Sequence, residues 1–526
     1  DMKALPPLTN FFPVIVKQID GTSPAFFTRP KDPVLINASA TFKNAIPVPG
    51  LRAPAQFFCI YIAHRFYYDW QQPTLEGHMK IFKKIWAGLG ILALTGLTMV
   101  AAAEAPCFPS SEFAEHREKL AAAANDGVIL IDAAAFPSEF YYLTGVRSHS
   151  AKLIIIPDQI AQKTPKPEVW KTTLYLPPKS PRAGVWDDPV PSAGDDTLTL
   201  TGIQNNASLE EFMNDLTMKI SVITDTVYIP FQTFVRDPDA GPPNMSFVDA
   251  VRKVLPQIKV KNLLPVLERI RWAKTPAEVG VMRRACAITA EAFQEAARNT
   301  RPGLYEYEID ALVSYIFRRQ GSEEAAFLII GSGPNSCILH HMKNDRQMKE
   351  GELLLIDIGT VYCSMSTDLT RTIPVSGAFT GEQKKIYEIV LKAQKAAMAV
   401  IKPGVTIAEV HRTARKIIDE AGYGKYLIHG TSHTLNGGEP FDIMNIGTLR
   451  AKEPTDYQAS LTVPLEPGCM ITVEPGIYIP EKNLGIRIED SVLVTADGCE
   501  VLTAAAPREI GEIEALMKEK PVYFKK

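Results

Sequence analysis

The sequence lacks the features that mark several classes of protein. Its seven cysteines are scattered and include no CxxC pair, so we expect neither a thiolate metal site nor a disulfide framework, and most should be small buried apolar residues. Neither charge sign is in excess, because the formal net charge is -3, which gives no reason to expect a nucleic acid partner. The composition, 46% hydrophobic and 22% charged over 526 residues, is typical of a soluble globular protein with two or three domains.

A long hydrophobic run occurs only toward the N-terminus, from Ile85 to Val100. It is shorter than the ~20 residues that a membrane-spanning helix needs. Lysines precede it at 80, 83 and 84, and small residues at 101–103 offer a cleavage site. This order predicts a secretory signal peptide at 79–103, with a single anchoring helix as the alternative.

The signal peptide has consequences for both sides of the cleavage site. The natural chain would start at Met79, and residues 1–78, which show no clear periodic pattern, would be translated from upstream sequence or form an unassigned extension. The mature protein would begin near Glu104 and be secreted or periplasmic, with no stable membrane span after signal cleavage.

Residues 104–269 predict an α/β N-terminal domain. SEFAEHREKLAAAA suits a helix, and four short apolar runs suit buried strands: GVILIDAA, AKLIIIP, KTTLYLP and ISVITDTVYIP. The segment LPPKSPRAGVWDDPVPSAGDD is rich in Pro, Gly and Asp and predicts a long loop, either functional or a surface excursion.

Residues 270–515 predict an α+β catalytic domain with an internal repeat, followed by a tail at 516–526. Capping boxes begin helices at Thr275, Thr380 and Thr406. An Ala-rich helix, a Pro-Gly pair and a second helix occur twice, with the Pro-Gly pairs at 302–303 and 403–404. Strands with two carboxylates follow each helix pair. The pattern predicts two similar halves that share a midline site, although amphipathic helices can also resemble one another by chance.

Four carboxylates and one histidine are the candidate metal ligands: Asp357, Asp368, His433, Glu474 and Glu489. The two aspartates are spaced for one hairpin and the two glutamates for another. A carboxylate at the end of a buried strand such as LLLID is costly unless it is paired or bound to metal. Any one acid alone could be a surface residue at a strand end. The set as a whole suits two hard or borderline divalent ions.

These motifs resemble the pita-bread metallopeptidase family, which keeps the ligand order Asp, Asp, His, Glu, Glu. The flanking sequences SGPNSCILHH and DLTRTIPVSG match as well. TLYLPPKSPRAGVWDDP, SEFAEHREKL and FYYLTGV resemble the N-terminal domain of Xaa-Pro aminopeptidases. The likeness covers roughly residues 111–515 and is weakest from 190 to 265. It implies a pita-bread fold with a pseudo-two-fold repeat.

The resemblance implies a role for each ligand. Asp357 would hold one ion, Asp368 and Glu489 would bridge both, and His433 and Glu474 would hold the other. Manganese would be the native metal, with zinc or cobalt as alternatives. The enzyme would be a homo-oligomer that releases the N-terminal residue from peptides with proline in second position.

Further residues of these motifs are expected to take part in catalysis. His340 and His429 occupy positions where the family keeps histidines that contact substrate, and Arg487 should orient Glu489 or bind a substrate carboxylate. Glu474 is the expected general base and later acid. His341 stands where the family has an aromatic residue.

The sequence departs from the family at one place. A second His-Asp pair is expected after His433, but Pro440 or Phe441 takes the histidine position, with Asp442 next. The alternatives are an X-Pro dipeptidase, which the N-terminal domain disfavours, a metal-free creatinase-like relative, and a catalytically impaired peptide-binding relative. The intact ligand set disfavours the last two.

Overall fold

The computed structural model describes residues 107–163, 171–182, 185–186, 188–231, 245–322, 324–435 and 463–523. All of them belong to the unit Glu104–Lys526. The expected signal peptide and residues 1–78 lie outside this part. Among the described residues, no helix combines the length and the apolar character needed to cross a bilayer.

The N-terminal domain contains one mixed sheet of six strands. Its elements are α1 (Ser110–Ala123), β1 (Val128–Asp132), α2 (Pro137–Thr144), β2 (Lys152–Ile155), β3 (Thr172–Leu176), β4 (Asn205–Ser208), β5 (Thr226–Ile229), α3 (Ser246–Val254), β6 (Lys259–Asn262) and α4 (Leu264–Ile270). The sheet order is β4-β3-β2-β1-β5-β6. Alternate residues of β1 enter different hydrophobic cores, Ile129 and Ile131 on one face and Val128 and Leu130 on the other, so both faces of the sheet are covered.

The catalytic domain contains the remaining labelled elements. They are α5 (Pro276–Asn299), α6 (Glu306–Arg319), β7 (Glu324–Ser332), β8 (Leu353–Tyr362), β9 (Met365–Ser366), β10 (Leu369–Pro374), α7 (Gly381–Val400), α8 (Ile407–Glu420), β11 (Met470–Val473), β12 (Gly476–Ile479), β13 (Leu484–Arg487), β14 (Asp490–Val494), β15 (Cys499–Val501) and α9 (Ile510–Leu516). The described sheets are β10-β8-β7 with β9 on β8, β11-β14-β15, and β12-β13.

Short helical turns complete the described structure and carry no labels. They are Asp158–Ala161, Leu198–Thr201, Leu209–Glu211, Phe212–Asp215, Leu216–Ile220, Ser221–Ile223, Gly333–Cys337, Gly424–Tyr426 and Pro480–Lys482. One strand prediction was too long as a result. The run ISVITDTVYIP is helical up to Ile223 and forms a strand only at Thr226–Ile229, because Leu216 and Ile220 pack into the core from a helical turn.

The predicted capping boxes begin three helices of the catalytic domain. The Thr275, Thr380 and Thr406 hydroxyls each accept a backbone N–H from the residue three positions on, and the side chain of that residue reaches back to the threonine N–H.

The internal repeat is confirmed by equivalent backbone contacts in the two halves. Gly303 donates its N–H to Met348 O at 2.9 Å, and Gly404 donates to Leu465 O at 2.8 Å. Both glycines adopt positive φ, 92° and 89°. Since this conformation favours glycine, the repeated Pro-Gly pair forms the same turn in each half. The expected α/β domain followed by an α+β pita-bread domain is therefore the observed fold class.

One expectation about the cysteines was wrong. Cys107, just before α1, forms a disulfide with Cys363 at the tip of the β8–β9 hairpin, with Cα atoms 5.6 Å apart. The pair could not be recognised from spacing, because 256 positions separate the two residues. Cys286 and Cys469 are buried free thiols, as expected.

Candidate active site

The five candidate ligands lie within or next to strands where the two halves of the catalytic domain meet. Asp357 lies within β8, and Asp368 lies directly before β10. Glu474 follows β11 and Glu489 precedes β14. His433 is held beside β11, because its backbone N–H donates to Thr472 Oγ1 at 3.0 Å. The two predicted hairpins are present: β8 pairs with β9 and β10, and β12 pairs with β13.

Hydrogen bonds between the halves bring these strand ends together. The Glu489 N–H donates to Thr370 O at 2.9 Å, and the Ser491 hydroxyl donates to Asp368 O at 2.7 Å. The Arg487 N–H donates to Thr372 Oγ1 at 3.1 Å. The acids of one half are thus fixed against those of the other by hydrogen bonds of the backbone and of hydroxyl side chains.

The ligand atoms are close enough to share cations. Donor atoms of Asp368, His433 and Glu489 all lie within 4.8 Å of one another. His433 Nε2 is 3.3 Å from Asp368 Oδ2 and 3.6 Å from Glu474 Oε1. Arg487 links Asp357 to this group, because its guanidinium contacts both Asp357 and the Thr370 hydroxyl that donates to Glu489.

Three of the carboxylates have an oxygen that makes no hydrogen bond to the described part of the chain. These buried atoms are Asp357 Oδ1, Asp368 Oδ1 and Glu489 Oε1. A buried carboxylate oxygen without a partner is strongly unfavourable, whereas it is the preferred donor for a hard divalent ion. The residues present therefore fit a metal centre.

Electrostatics agree with that fit. Burial raises the pKa of Asp368 and of Glu474, and the Glu489 carboxylate raises both further. Burial and the charge of Asp357 raise the pKa of Glu489 to about 7. Adjacent acids crowded in a buried space resist ionisation unless cations balance them.

Arg487 holds the first aspartate in place. Its guanidinium donates to Asp357 Oδ2 at 2.5 Å, to Thr370 Oγ1 at 3.0 Å and to the Tyr478 hydroxyl at 2.8 Å. Thr370 in turn donates to Glu489 Oε2 at 2.6 Å. Arg487 thus orients Asp357 directly and Glu489 through Thr370.

His429 lies beside Glu474, with Nδ1 3.6 Å from Glu474 Oε2. Burial, followed by the charge of Arg487, lowers the pKa of His429 to about 3, so the ring is neutral at neutral pH. Nδ1 is 2.6 Å from Gly430 O, and a carbonyl only accepts, so Nδ1 carries the proton. Nε2 therefore accepts from the Tyr478 hydroxyl at 2.9 Å.

The other two histidines of the motifs differ from each other. His340 is exposed. His341 is buried, with Nε2 3.0 Å from Glu306 Oε2. It therefore anchors the loop that carries His340. Pro440, Phe441 and Asp442 lie outside the described residues.

Sequence reasoning missed Tyr478, Thr370 and Thr472. Thr370 lies inside the motif DLTRTIPVSG, Thr472 and Tyr478 lie in β11 and β12 on either side of Glu474, and each contacts a candidate site residue. The available signal was a hydroxyl side chain within an otherwise apolar strand. That signal is weak, because Thr and Tyr are common in strands for packing reasons.

Two family profiles match the chain. Metallopeptidase family M24 covers residues 280–496, and the N-terminal domain of aminopeptidase P covers residues 113–228.

Individual proteins resemble the chain over longer stretches. The Xaa-Pro aminopeptidase of Haemophilus influenzae is 31% identical over 407 residues, which are 72% of this chain and 87% of that protein. The Xaa-Pro dipeptidase of Pyrococcus furiosus is 39% identical over 244 residues, 46% of this chain and 66% of that protein. The structure of Escherichia coli aminopeptidase P with the inhibitor Pro-Leu superposes with a TM-score of 0.65 at 26% identity, covering 78% of this chain and 98% of that one.

Proposed function

Because the chain belongs to metallopeptidase family M24 and carries the aminopeptidase P N-terminal domain, we propose that it is a metal-dependent Xaa-Pro aminopeptidase. It releases the N-terminal residue from peptides that have proline in second position. The observation that carries this proposal is the convergence of Asp368, His433 and Glu489 within 4.8 Å, with unpartnered carboxylate oxygens beside them.

The centre is proposed to be dinuclear. Asp357 would hold one ion, His433 and Glu474 the other, and Asp368 and Glu489 would bridge them. Oxygen ligands with a single imidazole suit manganese, and zinc or cobalt would also bind. When bound, two divalent ions would acidify a shared water and polarise the scissile carbonyl.

Glu474 is the residue placed to move protons. Burial and its neighbours keep its proton affinity high, which suits a group that accepts a proton from the attacking water and returns it to the leaving proline nitrogen. His429 holds its single proton toward Gly430, so its orientation is fixed by two hydrogen bonds. His340, with its exposed ring, is the better candidate to donate to the developing oxyanion.

Substrate choice would come from the two ends of the scissile bond. The free amino group of the peptide is attracted to the acidic ligands, which restricts cleavage to the first residue. Proline has no N–H and a fixed φ, so proteases that bind extended strands handle its bond poorly. A site that accommodates the proline ring and requires no hydrogen bond from the proline nitrogen gives the proposed specificity.

A peptide-library digest with metal-reconstituted protein tests the proposal. We expect release of single residues before proline, reversible loss of activity on chelation, and about two ions per chain at the centre. Hydrolysis that continues after thorough metal removal would contradict the mechanism.

An X-Pro dipeptidase is the second candidate, and the likeness to the Pyrococcus furiosus enzyme favours it. The two activities separate when tripeptides and longer peptides are compared with X-Pro dipeptides. Cleavage of dipeptides alone would select the dipeptidase.

Export and assembly belong to the same proposal. The disulfide between Cys107 and Cys363 supports a secreted or periplasmic enzyme, since such bonds persist in oxidising compartments. N-terminal sequencing of the mature protein should start near residue 104. A homo-oligomer is expected from the resemblance to the family, and sedimentation would measure it.

A further inference from the structure

A second group of buried, ligand-type side chains lies where α1 meets the start of α5. Glu112 and His116 are one helical turn apart on α1, and Glu278 is in the first turn of α5. Their exposed fractions are 7%, 1% and 3%. His116 Nε2 is 3.3 Å from Glu112 Oε1 and 3.7 Å from Glu278 Oε1. The group joins the N-terminal and catalytic domains and is not part of the peptidase site.

The orientation of the His116 ring is fixed by its other side. Nδ1 lies 2.9 Å from Tyr142 O, and because a carbonyl only accepts, Nδ1 carries a proton. The ring also stacks on Tyr142, with centroids 3.9 Å apart and planes 8° from parallel. Nε2 consequently faces the two carboxylates, and it has no hydrogen-bond partner in the described part of the chain.

A neutral His116 would direct a lone pair at two carboxylates, which is unfavourable in a buried space. A protonated ring would donate a hydrogen bond from Nε2 to one of the two carboxylates. Nε2 lies 3.3 Å from Glu112 and 3.7 Å from Glu278, yet it makes a hydrogen bond to neither. A cation located between the three groups removes this repulsion, because the His116 nitrogen and the two carboxylates can then each give it a lone pair.

We propose that Glu112, His116 and Glu278 bind a structural divalent cation of the zinc type, which fastens the N-terminal domain to the catalytic domain. Nitrogen and oxygen ligands at about 2.0–2.2 Å around a tetrahedral ion lie roughly 3.3–3.5 Å apart. The two measured separations from Nε2, 3.3 and 3.7 Å, are close to this spacing.

Outer hydrogen bonds hold the ligands as in other protein metal sites. The Thr275 hydroxyl donates to Glu112 Oε1, and the Thr275 N–H donates to Glu278 Oε2 at 2.9 Å, which leaves Glu278 Oε1 toward the centre. The backbone carbonyl of Tyr142 fixes the tautomer of His116. Glu278 and His116 are therefore held through their second atoms, and Glu112 is held through the same oxygen that faces His116, so all three are pre-oriented for an ion.

Nearby positive charge defines the competing explanation. The charge of Glu278 acts on the buried Lys274, and Arg271 lies over the ring of Tyr142. These cations, with a protonated His116, could balance the two glutamates without metal. The experiment must therefore count ions and locate them.

Zinc content measured on the purified full-length protein gives the first test. After equilibration with Zn²⁺ and removal of weakly bound ion, His116→Gln and Glu278→Gln should each hold about one zinc fewer per chain than the wild type. Both should keep cleavage of X-Pro peptides, because neither residue lies in the peptidase site. Equal zinc content in the wild type and both variants would overturn the proposal.

A matched control separates the ligand from the helix cap. Glu409 closes the same kind of capping box with Thr406 on α8, and within the described part of the chain its carboxylate forms no ion pair with a histidine. Glu409→Gln should therefore leave the zinc content unchanged. If it lowers the content as much as Glu278→Gln does, the loss comes from helix capping and the proposal fails.

The second test does not depend on variants that fold. Anomalous diffraction at the zinc edge from wild-type crystals grown with Zn²⁺ should give a peak between Glu112, His116 and Glu278. If zinc peaks occur at the peptidase site alone, the proposal fails, and protonated His116 with Lys274 balances the charges of the two glutamates.

Discussion

Glu489 and Asp490 are consecutive and both buried, yet their surroundings are opposite. Asp490 accepts hydrogen bonds from Arg371 and Arg508 at 2.7 Å each, from Thr503 at 2.7 Å and from Gln394 at 2.9 Å. Burial opposes its ionisation, but the two arginines outweigh burial and lower the pKa of Asp490.

Among the described residues, no cationic side chain donates a hydrogen bond to the Glu489 carboxylate. Thr370 donates to Oε2, while Oε1 has no partner among the described residues, and burial with the Asp357 charge raises the pKa of Glu489 to about 7. One carboxylate is balanced by the protein itself and serves the fold. The other is left for an external cation. This difference in compensation separates an acid that is paired within the fold from a proposed metal ligand.

Loss of a ligand should give the largest effect on activity. Asp357→Asn, Glu474→Gln or Glu489→Gln should reduce cleavage of an X-Pro peptide by more than about 100-fold, because the metal centre is weakened or lost. Folding of metal-free Glu489→Gln should survive, since Glu489 Oε1 has no partner among the described residues. Asp357→Asn also weakens the buried ion pair with Arg487 and should lose some stability. Metal content and circular dichroism measured together would check this, and full activity in Glu489→Gln would remove Glu489 from the ligand set.

Loss of Asp490 should instead damage the fold. Asp490→Asn leaves the fully buried Arg371 without its ion-pair partner, and breaking such a pair costs about 3–5 kcal/mol. Chemical denaturation of metal-free protein measures the loss in unfolding free energy. A stability equal to that of Glu489→Gln would show that the two acids do not differ as proposed.

The pH dependence of metal-free stability should have the sign set by Glu489. Its pKa is raised from its ordinary value of 4.5 to about 7, so its stabilising contribution is complete below pH ~4.5 and is lost as the pH rises through about 7. The loss for this group is roughly 3 kcal/mol. Denaturation of chelated protein between these pH values should show the decrease, and Mn²⁺ should reverse it. A stability that rises with pH over this window would refute the assignment.

The smallest effect is expected at the hydrogen-bond chain behind the ligands. Tyr478→Phe removes the hydroxyl that joins Arg487 to His429, so both lose a fixed orientation. We expect about a tenfold fall in kcat with little change in stability. Tyr387→Phe is a suitable control, because that hydroxyl donates to Arg508 O away from the ligands.

Much of the fold was predictable because it depends on local rules. The Thr275, Thr380 and Thr406 capping boxes each begin a helix where the sequence places it. The hairpins that follow Asp357 and Glu474 were expected from spacing and turn residues. The strand predicted for the run beginning at Ile220 was too long, because its β-branched residues suit a strand while packing holds its first part in a helical turn.

Distant contacts were beyond local reasoning. The disulfide between Cys107 and Cys363 requires both domains to be in place, and so does the group of Glu112, His116 and Glu278. Tyr478 could be recognised as important only once its hydroxyl was seen between Arg487 and His429.

The order of residues alone determined which chemical groups are available. These are four carboxylates and one imidazole, in motifs that match a metallopeptidase family. Capping and periodicity also determined the type of element that carries them. The tertiary structure decided which of the neighbouring acids receive arginines and which are left with unpartnered oxygens. This pairing depends on contacts between residues of the two halves that are more than 100 positions apart, such as Arg371 with Asp490. Burial makes these contacts strong, because charges interact strongly where water is excluded.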